Sequence, residues 1–321
     1  YPSCLVVGDI SSLATDGHHG SSDVLVVEAD EAFRTFEHLS LTGLVVTNVE
    51  PEHLEHFGSE NEMRRSFVTV AAAVDGPVVA CIDDPGSADL ARQTSSSTYG
   101  TLEGADWLVR DLAPSRGGSF FRLEGPGART DVKLSRPGAH VALNAAGVLA
   151  LVGEMGMAVE RAAAGPEGFT GVSRRWEHRG TVADVILVDD YAHHPTEVAA
   201  SLRTAKEWHE GQVWAVFQPH LYTRTERFSD EFGQALATAD RVVVTDVYGS
   251  RETPIPGING ELVATAVERH GGEVEYVPHR ADLASYLADR VEPGTMVLTM
   301  GAGDITLVPT ELARLLAGRK Q

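Results

Sequence analysis

The 321-residue sequence is 43% hydrophobic and 22% charged, enough apolar material for a buried core and a length that suits two domains better than one. Its formal net charge of −20 argues against diffuse affinity for nucleic acid or an anionic membrane, since both need an extended basic surface. No stretch approaches the ~20 uninterrupted apolar residues of a membrane span, nothing at the start reads as a secretory signal, and Cys4 and Cys81 sit in apolar runs without ligand spacing; a cytoplasmic protein with two reduced thiols is expected.

In chain order, residues 5–7, 23–29 (DVLVVEA), 43–49 (GLVVTNV) and 77–82 (PVVACI) are short β-branched runs bounded by Gly, Asp, Asn or Pro. They read as buried strands. Residues 60–74 carry Met63, Phe67, Val70, Ala71 and Val74 at helical spacing. Strand, helix, strand predicts a parallel sheet with helices on its faces. Over 98–134 the runs shorten and are broken by Gly, Pro and Arg, which predicts an antiparallel appendage. Residues 140–155 return to helix, with Leu143, Gly147, Leu151 and Val152 on one face.

The composition loosens over 165–175, and the domain boundary is set there, giving domains 1–167 and 168–321. Beyond it, strands at 182–188, 212–217, 241–247, 274–277 and 295–300 alternate with helices at 196–209, 229–238, 260–270, 281–290 and 309–317. Such alternation predicts a doubly wound, Rossmann-like sheet.

Ligands of open parallel sheets sit beyond the carboxyl ends of the strands, so polar groups that follow apolar runs carry most weight. Glu28 and His53 follow strands expected to be neighbours. A carboxylate and a neutral imidazole suit Mg²⁺ or Mn²⁺ when phosphate oxygens complete the shell, but a helix-capping glutamate and a solvated loop histidine fit the same spacing. In VDDYAHHPTEV (188–198), Asp190, Pro195 and Glu197 fit the start of a helix. Helix-start chemistry does not account for Tyr191, His193 and His194 on a strand tip, where substrate contact or proton handling is the functional alternative. Arg174 and Arg175 at the domain junction suit phosphate or carboxylate, or a surface ion pair with the abundant acids. Gly301-Ala302-Gly303-Asp304 resembles a phosphate turn, but Thr306 occupies the third glycine position of the dinucleotide fingerprint, which favours a plain strand-to-helix turn. A nicotinamide oxidoreductase is therefore disfavoured.

The segments VVEADE, TNVEPEHLEHFG, GAHVALNAAG, GVSRRWE, VDDYAHHPTEV, FQPHLYTRT, PIPGINGE and MGAGDI occur in that order along essentially the whole chain. Together they resemble the Mur ligases. The resemblance implies an α/β fold of two domains: a P-loop-type central parallel sheet with an antiparallel appendage, and a C-terminal Rossmann-like sheet. It implies ATP-dependent amide formation in peptidoglycan synthesis, in which the carboxylate of UDP-N-acetylmuramate becomes an acyl phosphate and the amine of L-alanine displaces phosphate. By motif, Glu28 and His53 look like Mg²⁺ ligands, His140 and Asn144 the adenine side, Arg175 the arginine near the nucleotide phosphates, and Asp190 the acid near the ribose. Tyr191, His193, His220 and Arg224 match positions around the amino acid and muramyl group, and Asn48 belongs to the strand end beside the metals. Catalytic weight is expected on His193, Arg175 and Tyr191.

The sequence departs from the family pattern at Ala32-Phe33 (usually Ser-Asp), Glu52 (usually Asp), Val141 (commonly Asn) and Leu221 (often Arg). A larger departure is that Lys133, Lys206 and Lys320, the only lysines, precede Leu, Glu and Gln, so none belongs to a P-loop GK[ST]. The expectation is a central domain that starts after its P-loop helix, catalytically inactive by itself and prone to self-association through sheet surface left uncovered. The alternatives are a recycling ligase that attaches a preformed peptide to UDP-N-acetylmuramate, and a non-catalytic Mur-like binding or regulatory protein.

Overall fold

The computed structural model describes residues 3–10, 15–29, 31–52, 54–115 and 117–318. The chain divides into two compact units, 1–170 and 171–321.

The first unit begins with β1 (Ser3–Ile10), β2 (Thr15–His18) and β3 (Leu25–Val27), followed by β4 (Leu44–Val46), α1 (Leu54–Phe57), α2 (Glu60–Ala72), β5 (Val78–Cys81) and α3 (Pro85–Thr94). It continues through β6 (Ser97–Gly100), β7 (Trp107–Ser115), β8 (Gly118–Gly125), β9 (Ala128–Leu134), α4 (Ala139–Glu154) and α5 (Val159–Ala162). Strands β4 to β9 form one mixed sheet in that order, parallel from β4 to β7 and antiparallel from β7 to β9. The antiparallel part thus extends the same sheet and starts at β7, because 97–100 still pairs in parallel on both sides. Side chains alternate across the pleat: Val79 and Cys81 face the core under α4, while Ala80 joins the core of α2 and α3.

Two expectations change here. Strands β3 and β4, read as neighbours, lie in different sheets, since β3 pairs in parallel with β1 in a three-stranded sheet ordered β2-β1-β3. Val24, Leu25 and Val26 are more than half exposed. A β-branched run signals extended backbone, but its pairing partner is set by tertiary contacts. On α4 the buried stripe is Ala142, Ala146, Gly147, Leu149 and Ala150, a rotation from the face expected. Small residues let the helix approach the sheet closely enough to seat two bulky rings. A Cβ at Gly147 would stand 2.7 Å from Cζ of buried Tyr99, and one at Gly153 would stand 2.2 Å from the Trp107 ring.

The second unit comprises β10 (Glu177–Val182), β11 (Val185–Asp190), α6 (Pro195–Trp208), β12 (Val213–Phe217), α7 (Tyr222–Leu236), β13 (Arg241–Val244), α8 (Gly260–Arg269), β14 (Val274–Tyr276), α9 (Leu283–Ala288), β15 (Met296–Met300) and α10 (Val308–Gly318). Its six-stranded sheet has the order β10-β11-β15-β12-β13-β14 and is parallel except for β10. Val188, Phe217 and Leu298 face a core shared with α6, α7 and α8. Leu187, Val216 and Val297 face α9 and α10. The run 182–188, read as one strand, is split by a hairpin turn at Ala183 and Asp184, both at positive φ (51° and 61°). Neither residue is the Asn or Gly that usually marks such a turn, so β10 left no turn signal. Helix α7 starts at Tyr222, seven residues before the expected position, with a kink at Phe228.

Gly147→Ala gains about 1 kcal/mol of helix propensity but forces a methyl against buried Tyr99, an overpacking cost of about 1–3 kcal/mol. The expected outcome is net destabilisation of the first unit. Faster hydrogen exchange across α4 and β6, with exchange in the second unit unchanged, is the measurement that checks it.

Candidate active site at the carboxyl ends of three adjacent strands

In the second unit, Asp190 pairs with Met300 and Met300 with Phe217, so β11, β15 and β12 end at one level. Their following loops, 191–194, 301–304 and 218–221, therefore emerge side by side. A fourth joins them, since Leu221 N–H donates to Tyr248 O (3.1 Å) and Tyr248 N–H to Pro219 O (2.8 Å).

Two consecutive carboxylates lie buried at the end of β11 and point to opposite faces. Asp189 accepts from Thr299 Oγ1 (2.7 Å) and Thr306 Oγ1 (2.5 Å), and Arg174 Nε lies 3.9 Å away. Asp190 accepts from Ala192 N (2.9 Å), Ser201 Oγ (2.9 Å) and Trp176 N (3.2 Å). Burial pushes the Asp190 carboxyl up to about 6, even though the bonds from Ser201 and Ala192 and the nearby Arg175 favour its charged form.

Arg174 braces the glycine turn. Its Nη2 donates to Gly301 O (2.8 Å) and Gly303 O (3.0 Å), and Nη1 to Ala302 O (3.5 Å). The glycines are required by close approach: a Cβ at Gly301 would meet Gln218 O at 2.7 Å, and one at Gly303 would meet Gln218 Oε1 at 2.4 Å and the Tyr248 ring at 2.5 Å. Gln218 locks the turn further, with Nε2 donating to Asp304 Oδ1 (2.8 Å) and Oε1 accepting from Ile305 N (3.1 Å). This is a strand-to-helix turn stitched to its neighbours, as the incomplete fingerprint indicated.

Above it lies a run of rings. The guanidinium carbons of Arg174 and Arg175 are 4.8 and 5.1 Å from the Tyr191 ring centroid, a cation–π arrangement. Tyr191 meets His193 edge-on at 5.0 Å, His193 meets His220 at 5.9 Å, and His220 lies nearly parallel to Tyr248 at 6.0 Å. Arg224, buried to 7% exposure, brings Nη1 to 3.2 Å from His220 Nδ1. A guanidinium only donates, so His220 Nδ1 is the acceptor and the ring proton sits on Nε2. Arg174, Trp176 and Leu221 all adopt positive φ (58°, 50° and 67°). Non-glycine residues there cost about 1–3 kcal/mol each, and all three flank the groups aimed into this site.

Arg175, Asp190, Tyr191, His193, His220 and Arg224 are thus brought together. The remaining candidates belong to the first unit: exposed Glu28 after β3, exposed Asn48 after β4, half-buried His140 in the first turn of α4, and exposed Asn144 one turn further on. His53 lies outside the described residues, as does Asp30. Among the described residues no group of three or more His, Cys, Asp or Glu is arranged to hold a metal ion, and Glu28 follows a strand of a different sheet from Asn48. Because His53 is one of its two expected ligands, the cation site expected from the sequence lies partly outside the described residues. Among the described residues no helix is long and apolar enough to cross a membrane. No functional role was expected of Asp189, Thr299, Thr306 or Tyr248; Asp189 and Thr299 lie at strand ends, while Thr306 and Tyr248 lie in the segments that follow β15 and β13.

Comparison with known proteins gives two family matches: a Mur ligase middle domain over residues 10–152 and a Mur ligase glutamate ligase domain over 174–303. The UDP-N-acetylmuramate–L-alanine ligase of Mycobacterium sp. (strain JLS) is 41% identical over 333 aligned positions, covering 99% of this chain and 68% of that protein. The enzyme of the same name from Kineococcus radiotolerans is 43% identical, covering 99% and 69%. The crystal structure of UDP-N-acetylmuramate-alanine ligase from Thermotoga maritima superposes with a TM-score of 0.82 at 29% identity, over 99% of this chain and 69% of that one.

Asp190 makes the second unit sensitive to pH in a stated direction. Its folded value lies above the ordinary value of about 3.9, so the folded state binds the proton more tightly, and stability falls as pH rises from about 4 to about 6. The penalty is complete above that window and is on the order of 3 kcal/mol. In Asp190→Asn, urea unfolding between pH 4 and 6 should show a flatter dependence; an unchanged slope removes Asp190 as its source.

Proposed function

Because the chain belongs to the Mur ligase family, we propose that it serves the ATP-dependent joining of L-alanine to UDP-N-acetylmuramate, with the second unit receiving the amino acid. One observation carries this reading: a small cluster of cations and proton-handling rings converges on the carboxyl ends of β11, β15 and β12.

The chemistry suits a small zwitterion. Arg224 is permanently charged and largely desolvated, and with the donor on His220 Nε2 it offers a fixed partner set for a carboxylate. Arg175, 40% exposed at its side chain, stays accessible to an incoming phosphate or acyl phosphate oxygen and would stabilise charge developing there. Asp190 has both oxygens engaged, so its part is to hold the loop that carries Tyr191 and His193; contact with a ribose would require one of those bonds to open. His140 and Asn144 on α4 are retained as the adenine side, and Asn48 as part of the neighbouring strand end.

Phosphoryl transfer is a separate matter. No lysine in the 321 residues precedes Ser or Thr, and a P-loop lysine with its backbone N–H groups is what binds the β and γ phosphates in such enzymes. With ATP, Mg²⁺, UDP-N-acetylmuramate and L-alanine supplied to the 321-residue chain alone, the expected outcome is no ADP above background. Turnover at the rate of a complete ligase would overturn that expectation. L-Alanine alone should nevertheless shift the NMR signals of Tyr191 and His220 saturably, and a tripeptide should not reproduce the effect. No response up to about 10 mM, roughly ten times the upper end of ordinary KM values, would remove the amino-acid assignment.

A further inference from the structure

The carboxylate of Glu197, which the sequence assigns to the start of α6, makes more contacts than a helix start requires. Its Oε2 accepts from His193 N (2.9 Å) and His194 N (3.1 Å) and lies 3.3 Å from His193 Nδ1. Its Oε1 is 3.5 Å from Arg175 Nη1. Burial alone pushes this carboxyl up, but His193, Arg175 and the two backbone N–H groups outweigh it and hold Glu197 below the usual glutamate range. The group is thus a fixed anion placed against one nitrogen of one imidazole.

His193 Nδ1 also lies 2.9 Å from the backbone carbonyl of Tyr191. A carbonyl oxygen can only accept. Nδ1 therefore carries the proton and donates it to that carbonyl, with the Glu197 carboxylate 3.3 Å from the same nitrogen, and in the neutral ring the lone pair resides on Nε2. Among the described residues, the charged and titratable groups around the ring include Tyr191 on its own loop, Glu197 on α6, Arg175 through its contact with Glu197, and His220 after β12 with Arg224 behind it. Among these Glu197 is the carboxylate, and it sits where it stabilises an imidazolium.

We infer that Glu197 is a positioning residue that, together with the Tyr191 carbonyl, holds His193 in its Nδ1–H tautomer, so that His193 Nε2 accepts a proton from the α-ammonium of the incoming amino acid. The inference rests on the amino-acid reading of this site given above. An ammonium is not a nucleophile until it loses a proton, and a base oriented by a carboxylate is a direct means of removing it. His193 takes one proton and leaves a neutral amine. The amine lone pair forms the C–N bond at the acyl phosphate carbon, the C–O bond to phosphate breaks with its electron pair, and the second amine proton leaves with the phosphate. The imidazolium, held by Glu197, returns its proton to solvent.

The test uses the 321-residue chain with ¹⁵N-labelled histidine and two-bond ¹H–¹⁵N correlation spectra. The expected result is a neutral His193 protonated at Nδ1, and an Nε2 signal that moves when L-alanine is added. Glu197→Gln keeps an acceptor for the two backbone N–H groups but removes the charge. It should lower the His193 titration midpoint and reduce the population of the Nδ1–H form, with the melting temperature held. Glu207→Gln removes a charge from the same helix at an exposed position and should change neither. An Nε2–H tautomer in the native chain, or a His193 response to Glu197→Gln no larger than to Glu207→Gln, overturns the positioning role. An intact tautomer and Glu197 dependence with no L-alanine shift at Nε2 overturns the ammonium assignment, separating failure of the pair from failure of the amino-acid reading.

Discussion

Two adjacent carboxylates at the end of β11 must be satisfied inside the protein, and much of the second unit is arranged around that constraint. Successive side chains of a strand point to opposite faces, so Asp189 and Asp190 recruit different partners. Asp189 draws hydroxyls from β15 and the turn after it, together with the guanidinium of Arg174. Asp190 draws the backbone of Trp176 and Ala192 and the hydroxyl of Ser201 on α6. A buried carboxylate without such partners costs several kcal/mol, so these contacts fix the segments around them. Arg174, with its Nε 3.9 Å from Asp189, takes the carbonyls of the glycine turn.

The candidate site draws its order from this base. Tyr191 and His193 follow Asp190 directly and share its loop, while His220 and Tyr248 are brought alongside by the common level at which β11, β15 and β12 end. Residues in sparsely populated backbone regions gather around the same loops, at Arg174, Trp176 and Leu221. Strain of that kind persists where surrounding contacts over-determine the conformation, and the carboxylate networks supply such contacts. A small hollow elsewhere in this unit, lined by Trp214, Arg241 and Tyr286, lies at the amino ends of β12 and β13, away from this chemistry.

The first unit follows a different logic. In its core, small residues admit large rings: Gly125 and Gly153 against Trp107, and Gly147 against Tyr99. Trp107 completes its contacts by donating from Nε1 to Glu154 (2.8 Å). Periodicity located α4 and placed Leu143, Gly147 and Leu151 on its core side, but the centre of the buried stripe falls on Ala142, Ala146 and Ala150, because leucine and valine dominate a pattern count while alanine and glycine decide how near a helix can lie to a sheet. The hairpin at Ala183 and Asp184 went unread for a related reason, since its Ala-Asp turn lacks the Asn-Gly or Asp-Gly pair that marks a two-residue hairpin.

What the sequence determined by itself was the alternation of strands and helices, the two-part organisation, and the residue types at the strand tips. VDDYAHHPTEV and FQPHLYTRT carry their chemistry in local order, and local order is what a sequence displays. Tertiary structure decided which tips are neighbours, because β15, the last strand, inserts between β11 and β12 and no local pattern encodes that register. It also decided that Asp190 is enclosed with both oxygens engaged, that Glu197 reaches back to His193, and that β3 lies apart from β4. Each of these depends on contacts between segments distant in the chain or on burial, and burial belongs to the folded molecule.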